Sequence, residues 1–162
     1  MPGSKPGPLD ELLKAARAAS RSAYCPYSKF HVGAAVRAGG RVFTGANVEN
    51  ASYGLTICAE RTATFAAVLA GASRIEAVAI SCADIPEGAD PSLAMPCGAC
   101  RQVLAEFAGP ETPIVVDRAG IFTLVELLPM AFRLREGCPE SRGGGAGAAG
   151  PTPASPRRPS RE

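Results

Sequence analysis

Residues 30–48 read FHVGAAVRAGGRVFTGANV, two apolar segments on either side of a pair of glycines. A turn centred on Ala38-Gly39-Gly40 between two such segments is typical of a β-hairpin, because consecutive glycines adopt the backbone angles that tight hairpin turns require. We therefore expect strands over residues 30–37 and 41–48. An antiparallel pair is predicted near the beginning of a sheet.

Further helices and strands alternate on both sides of this hairpin. Helical spacing of apolar residues predicts helices over residues 9–21, 56–69, 97–107 and 124–132, the last bent at Pro129. Strands are predicted over residues 75–82, 114–117 and 121–123, with a long loop over residues 83–96. Too few residues separate the last two strands for a crossover helix, so we expect them to be antiparallel. This order predicts an α/β fold, a three-layer αβα sandwich with a five-stranded mixed sheet.

The two ends of the chain differ in composition from the middle. A length of 162 residues suits one domain, which we place at residues 9–138. Residues 1–8 are rich in proline and glycine and are predicted to be a flexible arm. Residues 139–162 contain no leucine, isoleucine, valine or aromatic residue, so we expect a disordered tail. That tail is either inert or an interaction segment.

The composition favours a small-molecule substrate. Hydrophobic residues make up 46% and charged residues 20%, and no apolar run reaches the length of a membrane span. The first residues do not resemble a secretory signal, so a cytoplasmic location is expected. Residues 9–138 carry 12 Lys/Arg and 13 Asp/Glu without a basic run. A nucleic acid polymer is therefore a disfavoured partner, and so is a membrane.

Cysteine is the residue type that points to chemistry. Without a secretory signal, cysteines indicate metal or catalytic sites before disulfides. Cys97 and Cys100 form a C-x-x-C pair at the predicted start of one helix, and Cys58 lies near the start of another. Helix N-termini stabilise thiolates. These three residues are predicted to bind one Zn²⁺.

Glu60 decides between a structural and a catalytic zinc site. A structural site has a fourth protein ligand, and the sequence offers Cys25, Cys82 and Cys138 for that position, whereas His31 is expected to face solvent. Glu60 lies two residues after Cys58, where a carboxylate beside a zinc-bound water can transfer protons. The alternative is an acidic residue that only favours the helix dipole. We favour catalysis, with Arg61 hydrogen bonding to the sulfurs.

Several motifs of the chain resemble a known family. Cys58-Ala-Glu60 followed by Pro96-Cys-x-x-Cys100 resembles the zinc nucleoside and nucleobase deaminases. The wider pattern is similar to the homotetrameric cytidine deaminase family. It comprises CPYSKFHVGAA (residues 25–35), GANVEN (45–50), CAER (58–61), PCGACRQ (96–102) and ELLP (126–129).

The resemblance implies an activity and a set of site residues. It implies one Zn²⁺ per subunit of a homotetramer and hydrolysis of cytidine and 2′-deoxycytidine to uridine and 2′-deoxyuridine. Zinc-bound hydroxide would add at C4 while Glu60 transfers the protons. The resemblance also assigns the ribose to Asn47 and Glu49, the pyrimidine face to Phe30, its carbonyl to the N–H of Ala59, and contacts between subunits to Tyr53 and Phe132.

Three other functions remain open from the sequence. The first is a related deaminase that acts on another aminopyrimidine or an aminopurine, although Asn47 and Glu49 argue against a free base. A polynucleotide editor is disfavoured by the absence of a basic run. A non-enzymatic, zinc-stabilised interaction module would need a fourth protein ligand.

Overall fold

The computed structural model describes residues 7–134. Most of the predicted arm and the whole predicted tail, residues 139–162, lie outside them. In the described part the helices are α1 (Pro8–Ala19), α2 (Ala59–Leu69), α3 (Gly98–Phe107) and α4 (Leu124–Leu127). The strands are β1 (Val32–Ala38), β2 (Arg41–Ala46), β3 (Ala77–Cys82), β4 (Pro113–Val116) and β5 (Gly120–Thr123). Within residues 7–134, none of the helices has the length and apolar character that crossing a membrane requires.

The five strands form one mixed sheet in the order β2-β1-β3-β4-β5. Strand β1 is antiparallel to both β2 and β3, and β3 is parallel to β4. Strand β5 turns back antiparallel to β4. The predicted hairpin, the mixed sheet and the antiparallel final pair are all confirmed.

Helices cover both faces of the sheet. On one face, Leu12 and Ala16 of α1 pack against Ala35 and Ala79. On the other face, α2 and α3 pack against alternate strand residues such as Ile80. Successive residues of a strand point to opposite faces, so both sides of β3 are apolar. The three-layer prediction is confirmed, and α2 and α3 lie on the same side of the sheet.

Helix α2 begins three residues later than predicted. Ile57 exchanges two backbone hydrogen bonds with Val48, at 2.9 and 3.0 Å, which keeps the preceding segment extended. Cys58 is also extended, with φ −72° and ψ 155°, and caps the helix. The predicted start at residue 56 was therefore wrong, and Cys58 lies at the N-terminal end of the helix, before its first turn.

Several other predicted boundaries were wrong by one to five residues, and two of them have clear local reasons. Helix α4 ends at Leu127 rather than residue 132, because Pro129 disfavours a helical conformation at Leu128. Strand β1 begins at Val32 rather than residue 30. The side chain of Asn47 takes over the pairing there: its Oδ1 accepts from the N–H of Val32 and its Nδ2 donates to the carbonyl of Phe30, both at 2.9 Å.

Gly33 is where β1 comes closest to α1. A Cβ at this position would lie 2.1 Å from the carbonyl oxygen of Ala16 and 2.4 Å from the N of Ser20. We expect Gly33→Ala to lower the free energy of unfolding by about 3 kcal/mol or more, because backbone atoms must move apart. Denaturant titration measures this. Gly54→Ala is the control, because a Cβ there meets nothing within 4 Å; equal stabilities of the two variants would contradict the prediction.

Candidate metal centre and active site

The N-termini of α2 and α3 bring three cysteine sulfurs together. Cys58 caps α2, Cys97 caps α3, and Cys100 lies in the first turn of α3. The sulfur of Cys97 lies 3.9 Å from that of Cys58 and 3.4 Å from that of Cys100, and all three lie within 4.8 Å of one another. Tetrahedral ligands about 2.3 Å from a zinc ion lie about 3.8 Å apart. The sulfur separations therefore fit a shared ion.

The electrostatics of this cluster also favour a bound cation. A hydrogen bond from Cys100, helped by others from Arg61 and Cys97, lowers the pKa of Cys58 to about 5. The pKa of Cys100 is raised instead, first by its hydrogen bond to Cys58 and then by burial. Three thiolates this close repel one another unless a cation lies between them. The donor set therefore suits a thiophilic divalent ion.

The guanidinium of Arg61 lies beside the sulfur of Cys58. Its Nη2 lies 3.7 Å from the sulfur of Cys58 and donates to the carbonyl of Thr56 at 2.9 Å. The guanidinium therefore partly offsets the negative charge of the thiolates.

Three ligands make up the metal group in residues 7–134. Cys25 and Cys82 are free thiols outside that group. His31 is also outside it, with its Nδ1 2.9 Å from Oδ2 of Asp84. Cys138 lies outside the described residues. Three protein ligands are the number found in catalytic zinc sites.

Glu60 is a buried carboxyl group beside the metal ligands. It is the second residue of α2, and only 4% of it is exposed. Burial raises its pKa above the usual value for glutamate. A raised pKa lies closer to neutral pH, and a carboxyl group with such a pKa can both accept and donate a proton during a reaction.

A cavity of about 390 Å³ opens onto these residues. That volume is within the usual range for small-molecule sites. The cavity brings together six residues that the sequence singled out: Phe30, Asn47, Glu49, Cys58, Glu60 and Cys97. It also contains Cys82, which the sequence offered only as a fourth ligand of a structural site, and residues that the sequence reasoning missed: Ser28, Val32, Thr56, Ile80, Leu93, Ala94 and Met95. Strand alternation places Val32, Ile80 and Cys82 on the face of the sheet that carries α2, and this is the sequence signal that identifies them.

Asn47 and Glu49 reach the cavity from the segment that follows β2. Asn47 is 7% exposed, and its amide already binds the backbone of Phe30 and Val32. An amide group can form four hydrogen bonds, so one N–H and one lone pair remain for a ligand. Glu49 is partly exposed at the cavity wall.

The remaining predicted residues lie in different surroundings. Ala59 is buried as the first residue of α2, a position whose N–H has no partner within the helix. Tyr53 and Phe132 are 78% and 70% exposed and do not line the cavity. Tyr53 instead lines a neighbouring depression with Tyr27 and Glu49. The predicted contacts of Tyr53 and Phe132 with other subunits stay predictions.

Comparison with known proteins identifies the family. Residues 8–116 match the family described as the cytidine and deoxycytidylate deaminase zinc-binding region. The chain belongs to this deaminase family. The predicted family is confirmed, and Cys58, Cys97 and Cys100 are its zinc ligands in this chain.

Members of this deaminase family are similar to the chain over most of their length. The cytidine deaminase of Halalkalibacterium halodurans is 46% identical over 126 residues, which cover 75% of this chain and 91% of that protein. That of Mycobacterium tuberculosis is 46% identical over 121 residues, with 72% and 83% covered. The crystal structure of cytidine deaminase from Mycobacterium leprae superposes with a TM-score of 0.67 at 44% identity, covering 76% of this chain and 99% of that one. The likeness therefore extends over the whole fold.

Proposed function

We propose that this chain is a zinc-dependent hydrolase that converts cytidine and 2′-deoxycytidine to uridine and 2′-deoxyuridine, with release of ammonia. One observation carries the proposal: a buried carboxyl group, Glu60, and a three-cysteine zinc site face the same cavity of about 390 Å³. A purely structural zinc site needs neither the carboxyl group nor the cavity.

Glu60 performs the proton transfers of this reaction. Zinc, when bound, supplies a Lewis acid that lowers the pKa of water from about 15.7 toward 7. The carboxylate of Glu60 takes a proton from the attacking water and delivers it to N3, which makes C4 electrophilic. Glu60 then assists protonation of the departing amine. One water is consumed and one ammonia leaves for each nucleoside.

The other cavity residues bind and orient the nucleoside. Asn47 and Glu49 bind the ribose hydroxyls, using the hydrogen-bonding groups that their backbone partners leave free. Phe30 packs on the pyrimidine face, and the N–H of Ala59 donates to the pyrimidine carbonyl. A substrate with a sugar thus gains contacts that a free base lacks.

Other subunits complete the site in this proposal. Tyr53 and Phe132 reach the sites of neighbouring subunits in a homotetramer, each subunit binding one Zn²⁺. Their support is that both side chains are exposed, at 78% and 70%, and are therefore accessible to another subunit. The cytoplasmic location stays a prediction.

A comparison of four substrates tests the proposed specificity. We expect kcat/KM for cytidine and deoxycytidine to exceed that for cytosine by about 10²-fold, because cytosine forms none of the ribose hydrogen bonds. Deoxycytidine monophosphate is the fourth substrate, and ultraviolet absorbance follows each reaction. Preference for cytosine or the monophosphate would point to another member of the superfamily. Turnover of single-stranded DNA or RNA alone would indicate a polynucleotide editor.

X-ray absorption spectroscopy of the zinc-loaded protein distinguishes a catalytic zinc site from the closed site of a non-enzymatic interaction module. We expect three sulfurs and one light atom around zinc. Four sulfurs would support a closed structural site instead.

A further inference from the structure

Ser28 connects two of the proposed substrate-binding residues. The backbone N–H of Phe30 donates to the Oγ of Ser28 at 3.0 Å. The same Oγ lies within hydrogen-bonding distance of Oε1 of Glu49. A hydroxyl group has a single proton. Because Phe30 can only donate, the proton of Ser28 must point toward the carboxylate of Glu49.

The carboxylate of Glu49 is held by three donors. Its Oε2 accepts from the N–H groups of Tyr27 at 2.9 Å and Ser28 at 3.2 Å, and its Oε1 accepts from the hydroxyl of Ser28. An ionised carboxylate offers about four acceptor sites. Three are filled within the protein, so about one remains, on Oε1, for a group in the cavity.

The donors also favour the ionised form of Glu49. The hydroxyl of Ser28, with the amides of Tyr27 and Ser28, holds the pKa of Glu49 below its usual value. The charge of Lys29 acts in the same direction. The other titratable groups that face Glu49 belong to three places. The cavity holds Glu60 and the thiols of Cys58, Cys82 and Cys97, the neighbouring depression holds the phenols of Tyr27 and Tyr53, and the buried thiol of Cys25 feels the charge of Glu49. An ionised Glu49 can only accept, so it suits a hydroxyl donor and repels a phosphate.

We propose that Ser28 is a positioning residue that orients the carboxylate of Glu49 toward a ribose hydroxyl and fixes its distance from Phe30. This inference rests on the proposed function. Ser28 acts through Glu49 and not on the reacting atoms. Its loss should therefore weaken substrate binding and leave the chemical step intact.

Kinetics of Ser28→Ala test the inference. We expect KM for cytidine to rise about tenfold at pH 7 with kcat within twofold, as befits a lost hydrogen bond to a charged group. Without that donor the pKa of Glu49 rises, so more of it is protonated as the pH falls. The ratio of variant to native KM should therefore grow as the pH falls toward the usual glutamate pKa of about 4.3. Ser73→Ala, an exposed serine before β3, is the control and should match the native enzyme.

A second pair of variants distinguishes loss of the Ser28 hydroxyl from a change in side-chain shape or in folding. Threonine and valine have nearly the same shape, so Ser28→Thr should retain a near-native KM and Ser28→Val should show the rise. On a Glu49→Gln background, Ser28→Ala should change KM less than twofold. With 2′,3′-dideoxycytidine, which lacks the 2′- and 3′-hydroxyls and keeps only the 5′-hydroxyl, native and Ser28→Ala proteins should have similar KM if Glu49 binds the 2′- or 3′-hydroxyl.

Two results would overturn the inference: an unchanged KM in Ser28→Val, or a rise that is equal at every pH and equal with dideoxycytidine. Either would leave the proposed function intact if the native protein deaminates cytidine. Failure of the native protein on cytidine would instead overturn the proposed function itself.

Discussion

Replacing Glu60 with glutamine is expected to lower kcat for cytidine by about 10³-fold, within the range for loss of a general acid–base group. The amide has nearly the same size, so the packing of this 4% exposed side chain should survive. The glutamine amide, unlike the carboxylate, cannot take a proton from water or pass one to N3 of the pyrimidine. Steady-state kinetics with zinc content measured on the same sample separate loss of proton transfer from loss of metal.

A glutamate away from the cavity provides the control. Glu111 is exposed beyond the end of α3, and Glu111→Gln should retain native kcat. A Glu60→Gln protein with full zinc and near-native kcat would show that another group moves the protons.

Replacing Cys100 with serine is expected to remove most of the zinc and reduce deamination below detection. Cys100 is fully buried, its sulfur lies 3.4 Å from that of Cys97, and within residues 7–134 it is one of the three residues that make up the metal group. Two ligands bind zinc far more weakly than three. Metal analysis after gel filtration gives the zinc content, and the ultraviolet assay gives the activity.

Cys25 supplies the matched control for the metal site. Like Cys100 it is a buried free thiol, but it lies outside the metal group. Cys25→Ser should therefore bind about one zinc per chain. The three-cysteine assignment fails if Cys100→Ser retains full zinc while Cys25→Ser loses it.

The order of elements and the metal ligands could be predicted because their signals are local. The glycines at 39 and 40 both have positive φ, as the hairpin turn requires. Cys97 and Cys100 are three residues apart at the start of one helix, so the spacing alone places their two side chains on the same face. Cys58 was grouped with them because it also lies near a predicted helix start, but the contact between α2 and α3 that brings the two helix starts together is tertiary and no local spacing reveals it.

The rest of the site depends on contacts between distant residues. The side chain of Asn47 binds the carbonyl of Phe30 and so ends the backbone pairing of β1. The two residues are 17 positions apart in sequence, and no periodicity reveals such a contact. Ser28 resembles an ordinary turn residue until its hydroxyl is seen between Glu49 and Phe30. Leu93 and Met95 enter the cavity from a loop whose course has no repeating pattern.

Turnover of cytidine by the purified protein, with and without a zinc chelator, tests the central claim most directly. The account predicts that ultraviolet absorbance shows conversion to uridine with about one zinc per chain, that a chelator abolishes the reaction, and that added zinc restores it. A zinc-loaded protein that leaves both cytidine and deoxycytidine unchanged, or a rate that is the same after the metal is removed, would contradict it.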